Sequence, residues 1–251
     1  MPIRGPLRRP FFRLRGEEGP SLLELLQQAL SSTTGGYDRL APKFEATPFR
    51  TPDALLAPPL ERAAAAGVEA ALDLGCGTGA ALRMLKPHAR VLVGLDLSEG
   101  MLAEAARRLE AAPGEALVSL RVGDMLDPPA DLLGRFDLVT SFGAFGHVLE
   151  EDEPRLVDAA WRLLGPGGRF VFVTGTRPPR TSPARWLAHG FNAAMRVRNA
   201  LWKPPFVMYY LTFLLPRAEA LLRARGFELR VYRDFGARGL VSVEARRPSD
   251  A

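Results

Sequence analysis

A glycine-rich turn at the end of an apolar run constrains the fold of this 251-residue chain more than any other feature. The run AALDL at 70–74 leads into the turn GCGTG at 75–79, and a helical pattern follows to about Leu85. Glycine lets the backbone turn tightly, and it lets a ligand approach where a Cβ atom would clash. A strand, a glycine turn and a helix in this order predict the first unit of an α/β fold that binds a nucleotide-like ligand.

Apolar runs of strand length alternate with helical patterns along the rest of the chain. Such alternation predicts a parallel sheet that is covered by helices on both faces. The last two strands are separated by only a few residues, which favours an antiparallel pair. The predicted strands after the first are 91–95, 116–122, 136–142, 169–174, 227–232 and 239–245, and the predicted helices are 98–109, 155–164 and 217–225.

The N-terminal part of the chain has a different pattern. Residues 1–20 are rich in proline and arginine, which is typical of a poorly ordered arm. Ser21 and Glu24 have the spacing of a capping box and predict the start of a short helix. The stretch SSTTGG at 31–36 reads as a hinge after that helix.

Composition excludes several classes of protein. The apolar share of 47% and the charged share of 24% are those of a soluble globular protein. Cys76 is the only cysteine, so an internal disulfide is impossible, and three histidines give no metal-ligand cluster by spacing. No stretch approaches the roughly 20 apolar residues of a membrane span, and the N-terminus lacks the features of a signal peptide. We therefore expect a cytoplasmic protein without a metal.

Three aspartates at the ends of successive strands suggest the ligand. Asp73 precedes the glycine turn, Asp96 ends the second strand where a carboxylate can bind a ribose diol, and Asp124 follows the third strand. The turn also fits a dinucleotide fingerprint if Ala80 replaces its last glycine. Because carboxylates surround the turn and we expect no Lys or Arg near it to hold phosphates, a positively charged nucleoside fits better than NAD.

These residues resemble the class I S-adenosylmethionine-dependent methyltransferases, and in particular the small-molecule enzymes of the ubiquinone and menaquinone biosynthesis type. The resemblance covers roughly residues 37–245 and implies a Rossmann-like α/β fold with a seven-stranded, mainly parallel sheet whose last strand is antiparallel. It also implies S-adenosylmethionine as cofactor, bound across the carboxyl ends of the strands. The matching segments are DLGCGTG (73–79), GLDLSEGML (94–102), GDMLD (123–127), FDLVTSFGAFGHV (136–148) and LLGPGGRFVFV (163–173).

The family pattern implies a cofactor site in which the glycine turn lines the methionine moiety and Asp96 takes the ribose hydroxyls. Alternatives stay open for four of these residues: Asp73 can bind the amides of its own turn, Cys76 can be a small filler, and Leu97 and Met101 can be core residues. Ser98 is expected to cap its helix rather than touch the ligand. The implied cofactor-binding residues are Tyr37, Asp73, Gly75, Cys76, Gly77, Gly79, Asp96, Leu97, Met101, Asp124, Met125 and Ser141.

Candidates for catalysis and substrate binding follow from position in the family pattern. His147, in the loop after the fourth strand, is the candidate general base, or else it only packs or caps there. Tyr37 heads a segment that resembles the family's N-terminal lid; it either closes over the cofactor or pins the lid helix. The candidate substrate residues are Phe142, Phe145, Tyr209 and Tyr210, although an aromatic pair such as the two tyrosines is also common in a core.

A basic segment precedes the last helix. From Ala159 to Arg217 there are nine basic residues and no acidic one, although the net charge of the whole chain is only +5. Residues 185–203 form an amphipathic pattern with one polar face: Arg185, His189, Asn192, Arg196, Asn199 and Lys203. We expect either a lid helix with a solvated basic face or a helix that also makes peripheral contact with an anionic membrane.

The expected function is methyl transfer to a small, lipophilic acceptor, such as a quinone precursor, a lipid or a secondary metabolite. The alternatives are a nucleic-acid (RNA) methyltransferase, disfavoured because the stretch SFGAFGH lacks a base-methylation motif, and a catalytically silent scaffold that binds S-adenosylmethionine. We expect a basic arm and short lid helix over 1–36 and the methyltransferase domain over 37–251, with a substrate-side insertion at 175–216.

Overall fold

The helices and strands follow the order that the apolar pattern predicts. The computed structural model describes residues 19–47, 49–236 and 239–249, so most of the predicted arm lies outside the described residues. The helices there are α1 Leu22–Leu30, α2 Thr33–Leu40, α3 Asp53–Ala65, α4 Ala80–Leu85, α5 Glu99–Glu110, α6 Glu153–Leu163, α7 Pro183–Leu201 and α8 Leu215–Arg225. The strands are β1 Ala70–Leu74, β2 Val91–Asp96, β3 Leu117–Val122, β4 Phe136–Ser141, β5 Leu164–Gly175, β6 Glu228–Tyr232 and β7 Leu240–Arg246, and 3₁₀ helices cover Ala41–Ala46, Ala130–Leu132 and Phe145–His147.

The seven strands form one sheet in the order β3-β2-β1-β4-β5-β7-β6. Strands β1 to β5 pair in parallel, and β7 is antiparallel to both of its neighbours. The predicted mainly parallel sheet with an antiparallel last strand is therefore confirmed. Strand β5 begins at Leu164, earlier than the predicted Arg169, because Leu164 already pairs with Phe136 before a register shift in β4.

Along the central strands, successive side chains point to opposite faces of the sheet, so the core has two layers. Leu72 and Leu74 of β1 are fully buried on the face that packs against α6 and α8. Ala71, just before Leu72 in sequence, points to the opposite face and belongs to the other layer, with α3, α4 and α5. This period of two, repeated in β2 and β5, is what a sheet covered on both faces requires.

The strand order also determines where a ligand can bind. Strand β1 lies between β2 and β4, so the chain leaves β1 toward one side of the sheet and later returns on the other. In such open sheets the loops after the two strands diverge and leave a crevice at their carboxyl ends. The loops at 75–79, 97–98 and 142–147 meet there.

The first helices confirm one prediction and correct another. Ser21 accepts a hydrogen bond from the Glu24 amide and its own amide donates to the Glu24 carboxylate, so the predicted capping box is present at α1. The predicted hinge at 31–36 is wrong, because α2 begins at Thr33 and contains both glycines. Gly36 is buried, and a Cβ atom there would stand 3.0 Å from the Gln28 backbone oxygen and from the Phe206 ring. Its small size serves close helix packing instead of flexibility.

The predicted amphipathic helix is present as α7, and its predicted polar face is divided: His189, Arg196 and Lys203 are exposed, whereas Asn192 and Asn199 bind backbone inside the protein. Asn192 is buried, and its amide group exchanges two hydrogen bonds of 2.8 Å with the backbone of Tyr210. Asn199 pairs in the same way with the backbone of Phe206. The segment 206–210 is not in a strand, so these amides satisfy backbone groups that would otherwise lack partners. Among the described residues, no helix is both long and apolar enough to cross a membrane.

Candidate functional site

A cavity lies at the carboxyl ends of β1, β2 and β4, under α2 and the following 3₁₀ helix. It holds about 1010 Å³ of empty space, with its open mouth included. Eleven of the residues predicted for the site line it: Tyr37, Asp73, Gly75, Cys76, Gly77, Asp96, Leu97, Met101, Met125, Phe142 and His147.

The glycine turn forms the floor of the cavity. The amides of Gly75 and Cys76 donate to the Leu95 carbonyl oxygen at 2.8 and 3.1 Å, which ties the turn to β2. Gly75 has a φ of +66°, and a Cβ atom there would stand 2.8 Å from the Ala144 Cβ atom. Gly77 has a φ of +51° and lines the cavity, yet no protein atom lies within 4 Å of where its Cβ would stand. The backbone at Gly77 is therefore open to close approach by a ligand.

Gly79, the last glycine of the turn, lies at the start of α4. It precedes α4 as its N-cap with a φ of +76° and is not among the residues that line the cavity. A left-handed conformation at this position suits glycine because it carries no Cβ.

Asp73 is a buried carboxyl at the deep end of the cavity. The Thr140 hydroxyl donates a hydrogen bond of 2.7 Å to its Oδ1. The amides of the glycine turn do not bind Asp73; they donate to the Leu95 carbonyl and to the Asp96 carboxylate. Desolvation by burial raises the pKa of Asp73 to about 7, and the nearby charge of Asp96 adds to the increase. A cationic ligand would favour the ionised form of this carboxyl.

Asp96 joins the glycine turn to the start of α5. Its carboxylate accepts from the Gly77 amide at 2.8 Å and from the Ser98 amide at 2.9 Å, one bond to each oxygen. Burial raises the pKa of Asp96, and these two hydrogen bonds oppose that increase. Each carboxylate oxygen has a second acceptor site, so both remain able to bind the hydroxyls of a diol.

The wall beside Asp96 is apolar. Met101 is buried, the side chain of Leu97 is 50% exposed, and both line the cavity together with Met125. Ser98 caps α5 by accepting from the Met101 amide at 3.1 Å, as predicted. A planar, partly apolar group fits between side chains of this kind.

Two residues predicted for the cofactor lie outside the cavity lining. The Asp124 carboxylate accepts from the Leu126 amide at 2.8 Å within its own loop. Ser141 is fully buried, and its hydroxyl donates to the Leu74 carbonyl at 2.9 Å, which holds β4 to β1. The Asp124 side chain thus stabilises the loop that places Met125 in the cavity wall, and the Ser141 side chain stabilises the strand that precedes Phe142.

Tyr37 of α2 and His147 form a hydrogen-bonded pair in the cavity wall, with the Tyr37 hydroxyl 3.0 Å from Nε2. The other ring nitrogen, Nδ1, lies 2.6 Å from the Val207 carbonyl oxygen. Because a carbonyl can only accept, Nδ1 carries a hydrogen and Nε2 accepts the Tyr37 hydroxyl proton. Burial lowers the pKa of His147 and raises the pKa of Tyr37, so both side chains are neutral near pH 7.

Of the residues predicted to contact substrate, Phe142 lines the cavity and the other three do not. Phe145 is buried in the core against Phe172 and Phe213. Tyr209 and Tyr210 pack beside α7, where Tyr210 contacts Phe191 and is 44% exposed. They were predicted for the site because their segment falls where the family often places substrate-facing residues, but α7 holds that segment with the two rings outside the cavity lining.

Residues between α2 and α3 complete the cavity, and the sequence analysis missed them. Phe44 and Phe49 add aromatic surface, and Arg50 adds a cation that pairs with Glu45 at 2.7 Å. Arg83 also lies at the turn, since it donates to the Thr78 carbonyl at 2.8 Å. The inference that no Lys or Arg is near the turn is therefore wrong; Arg50 is separated from the turn by two elements, so no local spacing could indicate it.

Helix α2 is held against α5 as a cover over the cavity. The Asp38 carboxylate accepts from the Ser98 hydroxyl at 2.6 Å and from the Gly100 amide at 3.0 Å. The Thr33 hydroxyl accepts from the Val207 amide at 2.8 Å. With the Tyr37–His147 pair, these contacts fix the cover at both of its ends. Within the described ranges, no three His, Cys, Asp or Glu residues converge as metal ligands.

Comparison with known proteins agrees with this geometry. Residues 71–168 match a family model described as a methyltransferase domain. The chain is 36% identical over 111 residues to demethylmenaquinone methyltransferase of Symbiobacterium thermophilum, a match that spans only 43% of either chain. It is 33% identical over 168 residues to demethylmenaquinone methyltransferase of Thermus thermophilus, a match that covers 63% of this chain and 74% of that protein.

The fold is also that of a solved structure with bound S-adenosylhomocysteine. The DhpI complex with S-adenosylhomocysteine superimposes with a TM-score of 0.64 at 22% identity, and covers 88% of this chain and 98% of that one. Together with the glycine turn, the strand order and the position of the cavity, these matches show that the chain belongs to the class I S-adenosylmethionine-dependent methyltransferases.

Proposed function

We propose that this protein transfers a methyl group from S-adenosylmethionine to a small, lipophilic acceptor, such as a quinol or another phenol. The observation that carries the proposal is the distribution of polar and apolar side chains along the cavity. The buried carboxyl of Asp73 and the partly buried carboxyl of Asp96 lie at the glycine turn, aromatic side chains form other walls, and the Tyr37–His147 pair closes one side.

The residues of the turn suit the cofactor. Asp96 has free acceptor sites for a ribose diol, and the backbone at Gly77 is open to close approach. Asp73 offers a carboxyl to the positive charge of the ligand, and Arg50 offers a guanidinium to its carboxylate. Leu97, Met101 and Met125 then contact the base. The roles of these side chains toward the ligand are part of the proposal.

The Tyr37–His147 pair can act as the general base. Bound S-adenosylmethionine supplies a methyl group on a sulfonium, whose C–S electron pair stays on sulfur as the acceptor oxygen forms its bond to the methyl carbon. Tyr37 takes the proton of the acceptor hydroxyl while its own proton moves to Nε2 of His147 over the 3.0 Å hydrogen bond. The Val207 carbonyl holds the ring in position, and the charge of Asp96 stabilises the imidazolium that results.

The acceptor is proposed to be lipophilic because of the walls that face it. Phe44, Phe49, Phe142 and Leu56 line the cavity, and exclusion of water by such side chains favours displacement at a sulfonium. The names of the relatives above, which act on demethylmenaquinone, support a quinone precursor as the first acceptor to test. The experiments below distinguish this acceptor from the two alternatives, which are an RNA acceptor and a scaffold that binds S-adenosylmethionine without catalysis.

Calorimetric titration with S-adenosylhomocysteine tests the cofactor part of the proposal. We expect micromolar binding by the wild type, no binding of NAD, and a loss of about tenfold or more in Asp96→Ala, since that carboxylate makes charge-assisted hydrogen bonds. Asp131→Ala removes an exposed carboxylate far from the cavity and should bind like the wild type. Equal affinity of all three proteins would contradict the assigned site.

Turnover with labelled S-adenosylmethionine and a panel of quinols, phenols and RNA tests the reaction. We expect label in the quinols or phenols, and a fall in kcat of about 10²-fold or more in Tyr37→Phe and His147→Ala, because a general base contributes that much. Tyr209→Phe is the matched control, since its hydroxyl lies outside the cavity lining and bonds Asn199. Binding without turnover on any acceptor would favour the scaffold, and label in RNA alone would overturn the lipophilic acceptor.

A further inference from the structure

Helix α7 carries an apolar surface that no described part of the chain covers. Five large side chains make up this surface, which we call the α7 outer face, and each is more than half exposed: Trp186 66%, Leu187 75%, Val197 58%, Leu201 80% and Trp202 53%. Ala193, Ala194 and Ala200 lie between them on the same side of the helix and are exposed as well. Single exposed apolar residues are ordinary, but a continuous stripe along a 19-residue helix indicates a surface that binds something.

The stripe cannot turn inward without breaking the contacts that hold α7. On the opposite side of the helix, Asn192 and Asn199 each exchange two hydrogen bonds with backbone of the segment 206–210. Arg198 donates to the Ser31 carbonyl at 3.0 Å. These contacts of Asn192, Arg198 and Asn199 fix the apolar side of the helix outward.

Positive charge surrounds the outer face. Arg196 and Lys203 are exposed along one flank of the stripe, and Arg177 and Arg180 are exposed just before the helix. The chain has no acidic residue from 159 to 218, so no carboxylate of that segment offsets these charges. The Trp186 ring is anchored at the start of the helix by its Nε1–H, which donates to the Arg180 carbonyl at 3.0 Å.

We propose that the α7 outer face docks on an anionic lipid bilayer, with the helix in the plane of the interface. An apolar stripe with tryptophan at both ends and basic residues beside it matches the acyl boundary and the negative headgroups together. A nucleic acid would pair with the basic residues but would leave the exposed leucines and valine in water. The segment 206–210 packs on the inner side of α7 and also reaches the cavity wall, since the Val207 carbonyl binds His147.

Co-sedimentation with vesicles tests the proposal without cofactor or acceptor, so its outcome is independent of the proposed methyl transfer. We expect the wild type to sediment with phosphatidylcholine vesicles that contain phosphatidylglycerol, and about tenfold less with phosphatidylcholine alone. Leu187→Glu/Leu201→Glu should lower the bound fraction about tenfold or more, because it places two charges in the apolar stripe. Leu117→Glu, a change of the same kind at an exposed leucine of β3, should leave it unchanged.

The charge requirement is tested separately. Arg196→Glu/Lys203→Glu should abolish the preference for anionic vesicles, whereas Arg107→Glu/Arg223→Glu, which changes the net charge equally on exposed sites of α5 and α8, should retain it. No sedimentation of the wild type, or equal sedimentation of the stripe variant and its control, would overturn the proposal. A dimeric wild type that binds no vesicles would also overturn the proposal if Leu187→Glu/Leu201→Glu converts it to a monomer. The α7 outer face would then be an interface between two copies of the chain.

Discussion

At the scale of single residues, the three aspartates predicted for the site lie in different environments. The Asp73 side chain of β1 is buried, accepts a hydrogen bond from the Thr140 hydroxyl of β4, and has a pKa raised to about 7 by burial. Asp96 has a raised pKa as well, but two backbone amides compensate part of its burial. Asp124 binds a loop amide and does not line the cavity. The position of each carboxyl relative to the turn decides whether it can respond to a ligand.

The raised pKa of Asp73 predicts a pH dependence of stability. The native state binds the proton of Asp73 more tightly than the unfolded chain does, because the pKa of this carboxyl is near 3.8 in the unfolded chain and about 7 in the native state. The protonated carboxyl therefore makes its full contribution to stability below pH 3.8, and that contribution is lost as the pH rises toward 7. Asp73→Asn keeps an acceptor for Thr140 but has no proton to lose. Between about pH 5 and 7, urea unfolding should therefore show the stability of the wild type falling relative to the variant by roughly 1 kcal/mol per pH unit.

A matched substitution checks that this slope belongs to the buried site. Asp131 is exposed, and Arg121 lowers its pKa, so it titrates below the measured range. Asp131→Asn should leave the slope of the wild type unchanged. Parallel curves for Asp73→Asn and wild type would show that Asp73 is ionised throughout this range, against the burial argument.

At the scale of elements, α2 is the cover of the cavity and α5 is its support. Gly100 in the first turn of α5 allows this contact, because a Cβ atom there would stand 2.9 Å from the backbone Cα and O of Asp38. Asp38 in turn caps α5 through Ser98 and Gly100. A methyl group at this point would separate the two helices, although each helix could still form.

Gly100→Ala is therefore expected to weaken binding of S-adenosylhomocysteine more than it weakens the fold. Overpacking of this kind costs about 1–3 kcal/mol, and here the clash arises only when α2 is docked. Calorimetry should report a dissociation constant about tenfold higher, with a small change in melting temperature. Gly190→Ala in α7 is the control, since nothing lies within 4 Å of its added Cβ. Equal affinities of the two variants would mean that binding does not require the docked cover.

At the scale of the whole molecule, the cavity is assembled from segments that are distant in the chain. Its walls come from α2, the stretch 44–56, the glycine turn, the end of β2 and the loop after β4. Glu45 connects several of these parts, since it binds Thr78 and Arg50 and lies within 4 Å of Arg83 and Arg108. A ligand that contacts all the walls should stabilise the complete fold.

Thermal unfolding measures this coupling. At a concentration of S-adenosylhomocysteine 100 times its dissociation constant, stability rises by about 2.7 kcal/mol, which corresponds to roughly 5–10 °C in Tm for a chain of this size. Asp96→Ala should show a much smaller shift at the same concentration, and NAD should give none with the wild type. A shift that is equal with NAD would contradict specific binding at the turn.

The sequence by itself determines the sheet, the glycine turn and the residues that lie on the turn. Periodicity of two and Gly75-x-Gly77 are local properties, and a local property can be read from neighbouring positions. The same holds for Asp73, one residue before the end of β1, and for Asp96 at the end of β2, since both positions lie at the carboxyl edge of the sheet.

Only the tertiary structure decides what closes over that edge and which way α7 faces. Arg50, Phe44 and Phe49 reach the cavity because α2 and its 3₁₀ extension fold back over the turn, and no spacing in the sequence encodes that contact. The wheel of α7 separates polar from apolar residues but cannot say which side is inside. Asn192 and Asn199 face inward because the backbone of 206–210 needs hydrogen-bond partners, and that need exists only once the two segments meet.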